Sequence, residues 1–312
     1  MPKQGFYPEI SEEAYYSDTI FGKDAPPTLN HSTAKVLMHQ SPQHAWVNHP
    51  RLNPNYTESH SDKFDRGKAC QAMIYGGEEC IVVVEANDYR TKAAKEARDS
   101  ARAAGKFPLL ATQWPLVQEM YAALERQLAV LGDDPRIFRG GVHEGTAVWQ
   151  EGGVWCRCRI DWLFEKDGHV LAVDYKTTEV SVKPDAYERT FYNMNYHTQA
   201  DFYERAIRAT LDAKSVTFGF IAREVAPPFA ISPVKMSKEN AAPYACEHVN
   251  QAIATWAECL ATDQWPGYPV RWAELDPPGY LSYQWDNDSM KRAANPDQFE
   301  RAFQFYRPIK AE

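Results

Sequence analysis

The sequence predicts an α/β domain with helical additions at both ends. Three observations carry that expectation. Strand-like segments at 143–150, 154–164 and 170–180 follow one another through the centre of the chain, separated by short Gly-containing turns. Helix-period stretches flank them on both sides. The composition, 44% hydrophobic and 24% charged over 312 residues, suits a globular protein with a sizeable core.

Taken in order, residues 1–30 are rich in turn formers, Tyr and Pro, and close on Pro26-Pro27. Asn30 or Ser32 can cap a helix over 33–39. Ser41-Pro42 stops it, and a second short helix carries Trp46. Residues 50–62 are polar and loop-like. A helix over 63–75 follows, with Phe64, Cys70, Ala72 and Met73 supplying apolar surface. The β-branched run at 81–85 is a strand signature. Residues 91–104 form a charged, Ala-rich helix with Gly105 as its stop. Another helix spans 112–131, where Leu116, Met120, Leu124, Leu128 and Leu131 form a core-facing stripe. Glu151-Gly152-Gly153 and Lys166-Asp167-Gly168 read as hairpin turns joining the three central strands. Beyond them come a helix at 196–212, a strand at 215–224, and mainly helix over 235–262. The last 50 residues, rich in Trp, Tyr and Pro, look irregular. Residues 1–234 form the expected domain, with its core at about 63–225, and 235–312 an extension packed on it. No internal repeat or low-complexity tract interrupts the chain.

Composition also limits function. The net charge of −8, from 42 acidic and 34 basic residues, argues against a protein that simply coats nucleic acid. It leaves room for a local basic groove beside an acidic centre. No run of about 18 apolar residues predicts a membrane span. The first residues lack the apolar stretch of a secretory signal, so a cytoplasmic location is expected. The six cysteines, at 70, 80, 156, 158, 246 and 259, show no C-x-x-C pair and read as reduced, small buried residues.

The chemistry lies in the three central strands. Glu144 begins the first, Asp161 lies near the middle of the second, and Asp174 and Lys176 lie on the third. Side chains two apart share a strand face, so Asp174 and Lys176 point together while Tyr175 offers its carbonyl between them. Asp161, in RIDWLF, and Asp174, in VLAVDYK, sit among apolar residues. A half-buried carboxylate needs a cation. Asp174 and Lys176 alone could be an ion pair at a sheet edge. With Asp161 and Glu144 on neighbouring strands they read instead as an all-oxygen site for Mg²⁺ or Mn²⁺, with a lysine beside it.

The string Glu144, Arg159-Ile-Asp161, Val173-Asp174-Tyr175-Lys176 resembles the core of the PD-(D/E)XK nucleases. Gln199-Ala-Asp-Phe-Tyr203 resembles the Q-x-x-x-Y motif of their RecB-like branch. An early Ser-x-x-Lys helix followed by Ser-Pro, a Phe-x-x-Gly-x-Ala segment and the Thr-Lys-Ala-Ala-Lys helix narrow the likeness to RecE-type (exonuclease VIII-like) phage exonucleases, over about 5–225. The resemblance implies a restriction-endonuclease-like core, a mixed sheet flanked by helices. It implies that Asp161, Asp174 and the Tyr175 carbonyl hold the metal, that Glu144 completes or bridges that site, and that Lys176 orients the attacking water. Gln199 and Tyr203, four apart, share a helix face lining the active site. Ser32 and Lys35 would meet the DNA end, and Arg66 and Lys68, flanking Gly67, would contact phosphate.

One departure stands out. Related nucleases carry a His where this chain has Gln71, which can lend an oxygen but cannot titrate near neutrality. The resemblance further implies 5′→3′ digestion of double-stranded DNA ends for recombination. It also implies a ring-shaped homo-oligomer (trimer or tetramer), a single-strand annealing partner, and a bacterial host, phage or prophage setting. A Cas4-like endonuclease is disfavoured by the absent four-cysteine cluster. A catalytically weak DNA-binding or assembly protein on the same fold has only Gln71 in its favour.

Overall fold

Two tight turns set the centre of the molecule. Gly152 and Gly153, at φ 57° and 81°, fold β4 (Val142–Glu151) back on β5 (Val154–Lys166). Asp167 and Gly168, at φ 55° and 83°, fold β5 on β6 (His169–Thr178). Two successive positive φ angles are what a two-residue hairpin between right-twisted strands demands. The computed structural model from which these angles come describes residues 3–57, 65–131 and 137–294.

Around these hairpins the sheet runs β1–β4–β5–β6–β7–β8. The short β1 (Gly5–Tyr7) pairs antiparallel with β4. Strand β7 (Ser215–Glu224) lies parallel to β6 over ten residue pairs, Asp174 standing opposite Phe220. A parallel neighbour needs a crossover. Here it is the helix pair α7 (Pro184–Asn193) and α8 (Tyr196–Thr210). Antiparallel β8 (Ile231–Val234) closes the edge, so the sheet is mixed. The parallel pair of β2 (Ile81–Val84) and β3 (Phe107–Leu110), linked by α5 (Lys92–Ala103), forms a second small sheet.

Each face of the main sheet carries its own core. On one, Trp149, Cys156, Cys158, Ile160 and Phe220 pack with Ala200, Phe202 and Ala206 of α8 and with Ile253 and Trp256 of α9 (Ala242–Thr262). Helix α2 (His31–His39), capped by Asn30 Oδ1 on the Thr33 N–H, joins this layer. On the other face, Trp162, Val173, Tyr175 and Ile221 pack with Cys70 and Met73 of α4 (Asp65–Gly76) and Val117, Met120 and Leu124 of α6 (Trp114–Leu128). Cys156 and Cys158 are buried, and all six cysteines are free thiols.

The expected elements are present with ends moved by a few residues. Others had weak signals: β1 is three residues long, β3 contains Pro108, and β8 contains Pro233. Because β8 and a turn intervene, α9 starts at Ala242 rather than 235. The expected irregular tail contains helix α10 (Gly279–Ala294). Residues 1–267 form one compact unit, which includes β8 and α9, and residues 268–312 a second. The second unit holds α10 and leaves Val270, Trp272 and Tyr280 exposed. Among the described residues no helix is long and apolar enough to cross a membrane.

Candidate active site

The three central strands lose their regular ladder at a single row. Pairs His143–Trp162 and Gly145–Ile160 flank the position where Glu144 faces Asp161. The β5–β6 ladder ends at Trp162–Val173, so one further step sets Asp161 opposite Asp174. Glu144 holds φ 55°, a left-handed conformation costly for a residue with a Cβ. Strict alternation would put Ile160 and Trp162 on one face. Instead Ile160 enters one core and Trp162 the other, so the side-chain alternation breaks at Asp161. Its carboxylate replaces the missing strand acceptor: Tyr175 N–H donates to Asp161 Oδ2 at 2.9 Å.

Asp174 is 2% exposed. Its Oδ1 lies 2.5 Å from Lys176 Nζ, and its Oδ2 accepts from Gln199 Nε2 at 2.6 Å. Lys176 is also held 5.2 Å above the Tyr196 ring, a cation–π contact. Burial works against the Lys176 ammonium, but Asp174 and Asp161 outweigh it and raise its pKa. Burial pushes Asp161 well above the usual carboxylate range. Asp174 and Glu144 add to the rise; Lys176 opposes it. Tyr175 points away, as alternation requires; its hydroxyl accepts from buried Arg223 Nη1 at 3.3 Å beneath the sheet.

This donor set suits a divalent cation. Two desolvated carboxylates repel each other, and a single ammonium, Lys176, serves both. Asp161, Asp174 and the Tyr175 carbonyl would hold such an ion. Among the described residues, no three His, Cys, Asp or Glu side chains form a complete ligand cluster. Glu144 has other partners. Its Oε2 is 2.6 Å from Arg159 Nε, and its Oε1 accepts from Gln71 Nε2 at 3.1 Å. Gln71 therefore presents its N–H, not the oxygen expected of a ligand. Glu144 is thus held between an arginine and an amide. Burial raises the Glu144 pKa and Arg159 lowers it in part.

These groups line a cleft of about 540 Å³. Tyr203, one turn beyond Gln199 and 8% exposed, belongs to its wall, with its ring 5.3 Å from Phe218. Ser32 stands exposed at the rim. Lys68, also at the rim, pairs with Glu12 of α1 (Glu12–Tyr16) at 3.0 Å. Lys35 stands apart from the cleft lining: its Nζ donates to the Met194 carbonyl at 3.4 Å. The Arg66 side chain lies outside the described residues. Sequence reasoning gave no role to Arg159 or His31, both in the cleft wall. Their only signal was adjacency, Arg159 two residues before Asp161 and His31 next to Ser32.

A mixed sheet with an acid on one central strand and Asp-x-Lys on the next defines a PD-(D/E)XK nuclease-like fold. The chain belongs to the family described as a PDDEXK-like domain of unknown function (DUF3799), whose model matches residues 32–271. It is similar to the crystal structure of a protein from Eubacterium rectale provisionally named an exonuclease. That match has a TM-score of 0.55 and 13% identity, covering 88% of this chain and 98% of the other. At that identity the likeness speaks for the fold. A second structure, called SSO0001, aligns at a TM-score of 0.25 with 13% identity, over 63% of this chain and 85% of its own. No curated protein matches the sequence.

Proposed function

We propose that the protein is a divalent-metal-dependent exodeoxyribonuclease that hydrolyses phosphodiesters at duplex DNA ends, 5′→3′. One observation carries the nuclease reading: Asp161 and Asp174 face each other across the strand break, with Lys176 and Gln199 fixed on Asp174. Mg²⁺ or Mn²⁺ bound there would supply a water made acidic and a counter-charge for the leaving oxygen. The chain's own groups do the rest. Lys176 places a buried positive charge beside the acids, where phosphate charge develops. Gln199 holds the orientation of Asp174, and Tyr175 N–H that of Asp161. Ser32 and Lys68 at the rim suit phosphate oxygens. The E. rectale neighbour's name supports action at ends. Polarity, a ring-shaped homo-oligomer and a single-strand annealing partner rest on the resemblance to RecE-type enzymes.

Linear duplex labelled at either 5′ or 3′ ends, and relaxed circular duplex, are incubated with Mg²⁺ or EDTA. The reading expects Mg²⁺-dependent loss of linear DNA, release of the 5′ label first, and intact circles. Lys176→Ala should abolish it. Cut circles would make the protein an endonuclease, and metal-independent retention of DNA without cleavage would leave a binding protein.

A further inference from the structure

Helix α2 meets the turn between α7 and α8 along one stripe. His31, Lys35 and His39 stand four residues apart and so share a helical face. His39 Nε2 donates to Asn195 Oδ1 at 2.7 Å, Lys35 Nζ reaches the Met194 carbonyl at 3.4 Å, and His31 Nε2 meets Thr198 Oγ1 at 3.0 Å. All three partners fall within residues 194–198, immediately before Gln199. Asn195 holds the left-handed φ 62°, ψ 34° that breaks one helix from the next. Asn is among the few residues that accept that conformation readily.

Neighbours fix the direction of the His31 bond. The single Thr198 hydroxyl proton goes to the Asn195 carbonyl, 2.9 Å away, so the Thr198 oxygen accepts from His31 Nε2–H. The same carbonyl takes the Gln199 backbone N–H at 3.1 Å. One hydroxyl and one carbonyl thus link the His31 ring to the residue whose side chain holds Asp174 Oδ2. Burial, reinforced by Lys176 and Lys35, pushes the His31 pKa down to about 3 and keeps the ring neutral.

We propose that His31 is a positioning residue: through Thr198 and the Asn195 turn it holds Gln199 on Asp174, and so tunes the affinity of the Asp161–Asp174 pair for a divalent cation. The inference rests on the metal-dependent reading above. Groups that orient metal ligands typically change affinity or activity 10–100-fold when lost.

Mn²⁺ titration calorimetry without DNA reads the effect directly. His31→Leu should weaken Mn²⁺ binding about tenfold, and His31→Gln, which keeps an N–H at similar reach, should restore most of it. Thr198→Val should match His31→Leu, while Thr198→Ser should resemble the wild type. That pair carries the test if His31→Leu fails to fold. On linear duplex, kcat should fall with KM within about twofold, because the defect lies at the metal and not in DNA binding. Unchanged Mn²⁺ affinity in folded Thr198→Val and His31→Leu overturns the inference, as does a change confined to KM. Mn²⁺ binding that responds to the variants in a protein that cleaves no DNA overturns only the nuclease reading. A wild type that binds no Mn²⁺ overturns both.

Discussion

Asp161 and Asp174 give the cleft its chemistry because neither can shed its charge into water. A cation that binds only the folded chain relieves their repulsion and stabilises the fold by about 2.7 kcal/mol at a hundredfold excess over its Kd. Calorimetric scans in EDTA and in MnCl₂ should show a Tm rise for the wild type and none for Asp174→Asn. Equal rises would remove Asp174 from the metal site. Lys176→Met should stay folded and keep its Mn²⁺ affinity, since the ammonium competes with metal for Asp174, yet lose about 10²–10³ in kcat. A second residue-scale effect lies away from the cleft. His49 is 1% exposed, its Nε2 3.6 Å from Asp18 Oδ2. Burial pushes its pKa down to about 4, with Asp18 opposing. Unfolded histidine takes its proton near 6.5. Between those values the unfolded chain binds a proton that the folded chain refuses, so stability falls as pH drops from about 6.5 to 4. His49→Gln should remove about 1.4 kcal/mol per pH unit from that slope. Parallel Tm-versus-pH curves for variant and wild type would contradict it.

At the scale of elements, backbone turns hold the carboxylate row in place. Gly141 enters β4 at φ 73°, where a Cβ would lie 2.4 Å from the Leu163 carbonyl oxygen. Both the angle and that backbone atom resist accommodation, so Gly141→Ala should destabilise by about 1–3 kcal/mol, read as a shift in urea midpoint at constant m. The same elements show what the sequence makes legible. The two hairpins were readable because Gly152-Gly153 and Asp167-Gly168 are turn chemistry between β-rich runs. Asp161, Asp174 and Lys176 were readable because acids among apolar strand residues demand a partner. Which atom of Gln71 faces Glu144 was not readable, nor that Arg159 would occupy the other oxygen. Those choices are made by α4 and β5 meeting across 73 and 15 residues of chain respectively. The placement of Lys35 was likewise not readable: its spacing from Ser32 is that of one helical face, yet α2 turns it onto the α7–α8 elbow.

Across the whole molecule, charge and fold divide differently. The chain carries a net −8, and among the described residues the Lys and Arg side chains lining the cleft are already matched: Lys68 to Glu12, Arg159 to Glu144, Lys176 to Asp174. Under the proposed function, DNA would have to compete with these internal acids at the cleft. Among the described residues, every member of the two cores, including Ile253 and Trp256 of α9, precedes Gly267. In the unit beyond it, Val270, Trp272 and Leu275 are almost fully exposed. A chain ending at Gly267 should therefore keep one cooperative transition, with its Tm within the about 2–4 °C that 1 kcal/mol represents at this size. Burial of apolar area, not chain length, sets that stability. Loss of the cooperative transition on truncation would mean that residues 268–312 complete a core that the first unit lacks.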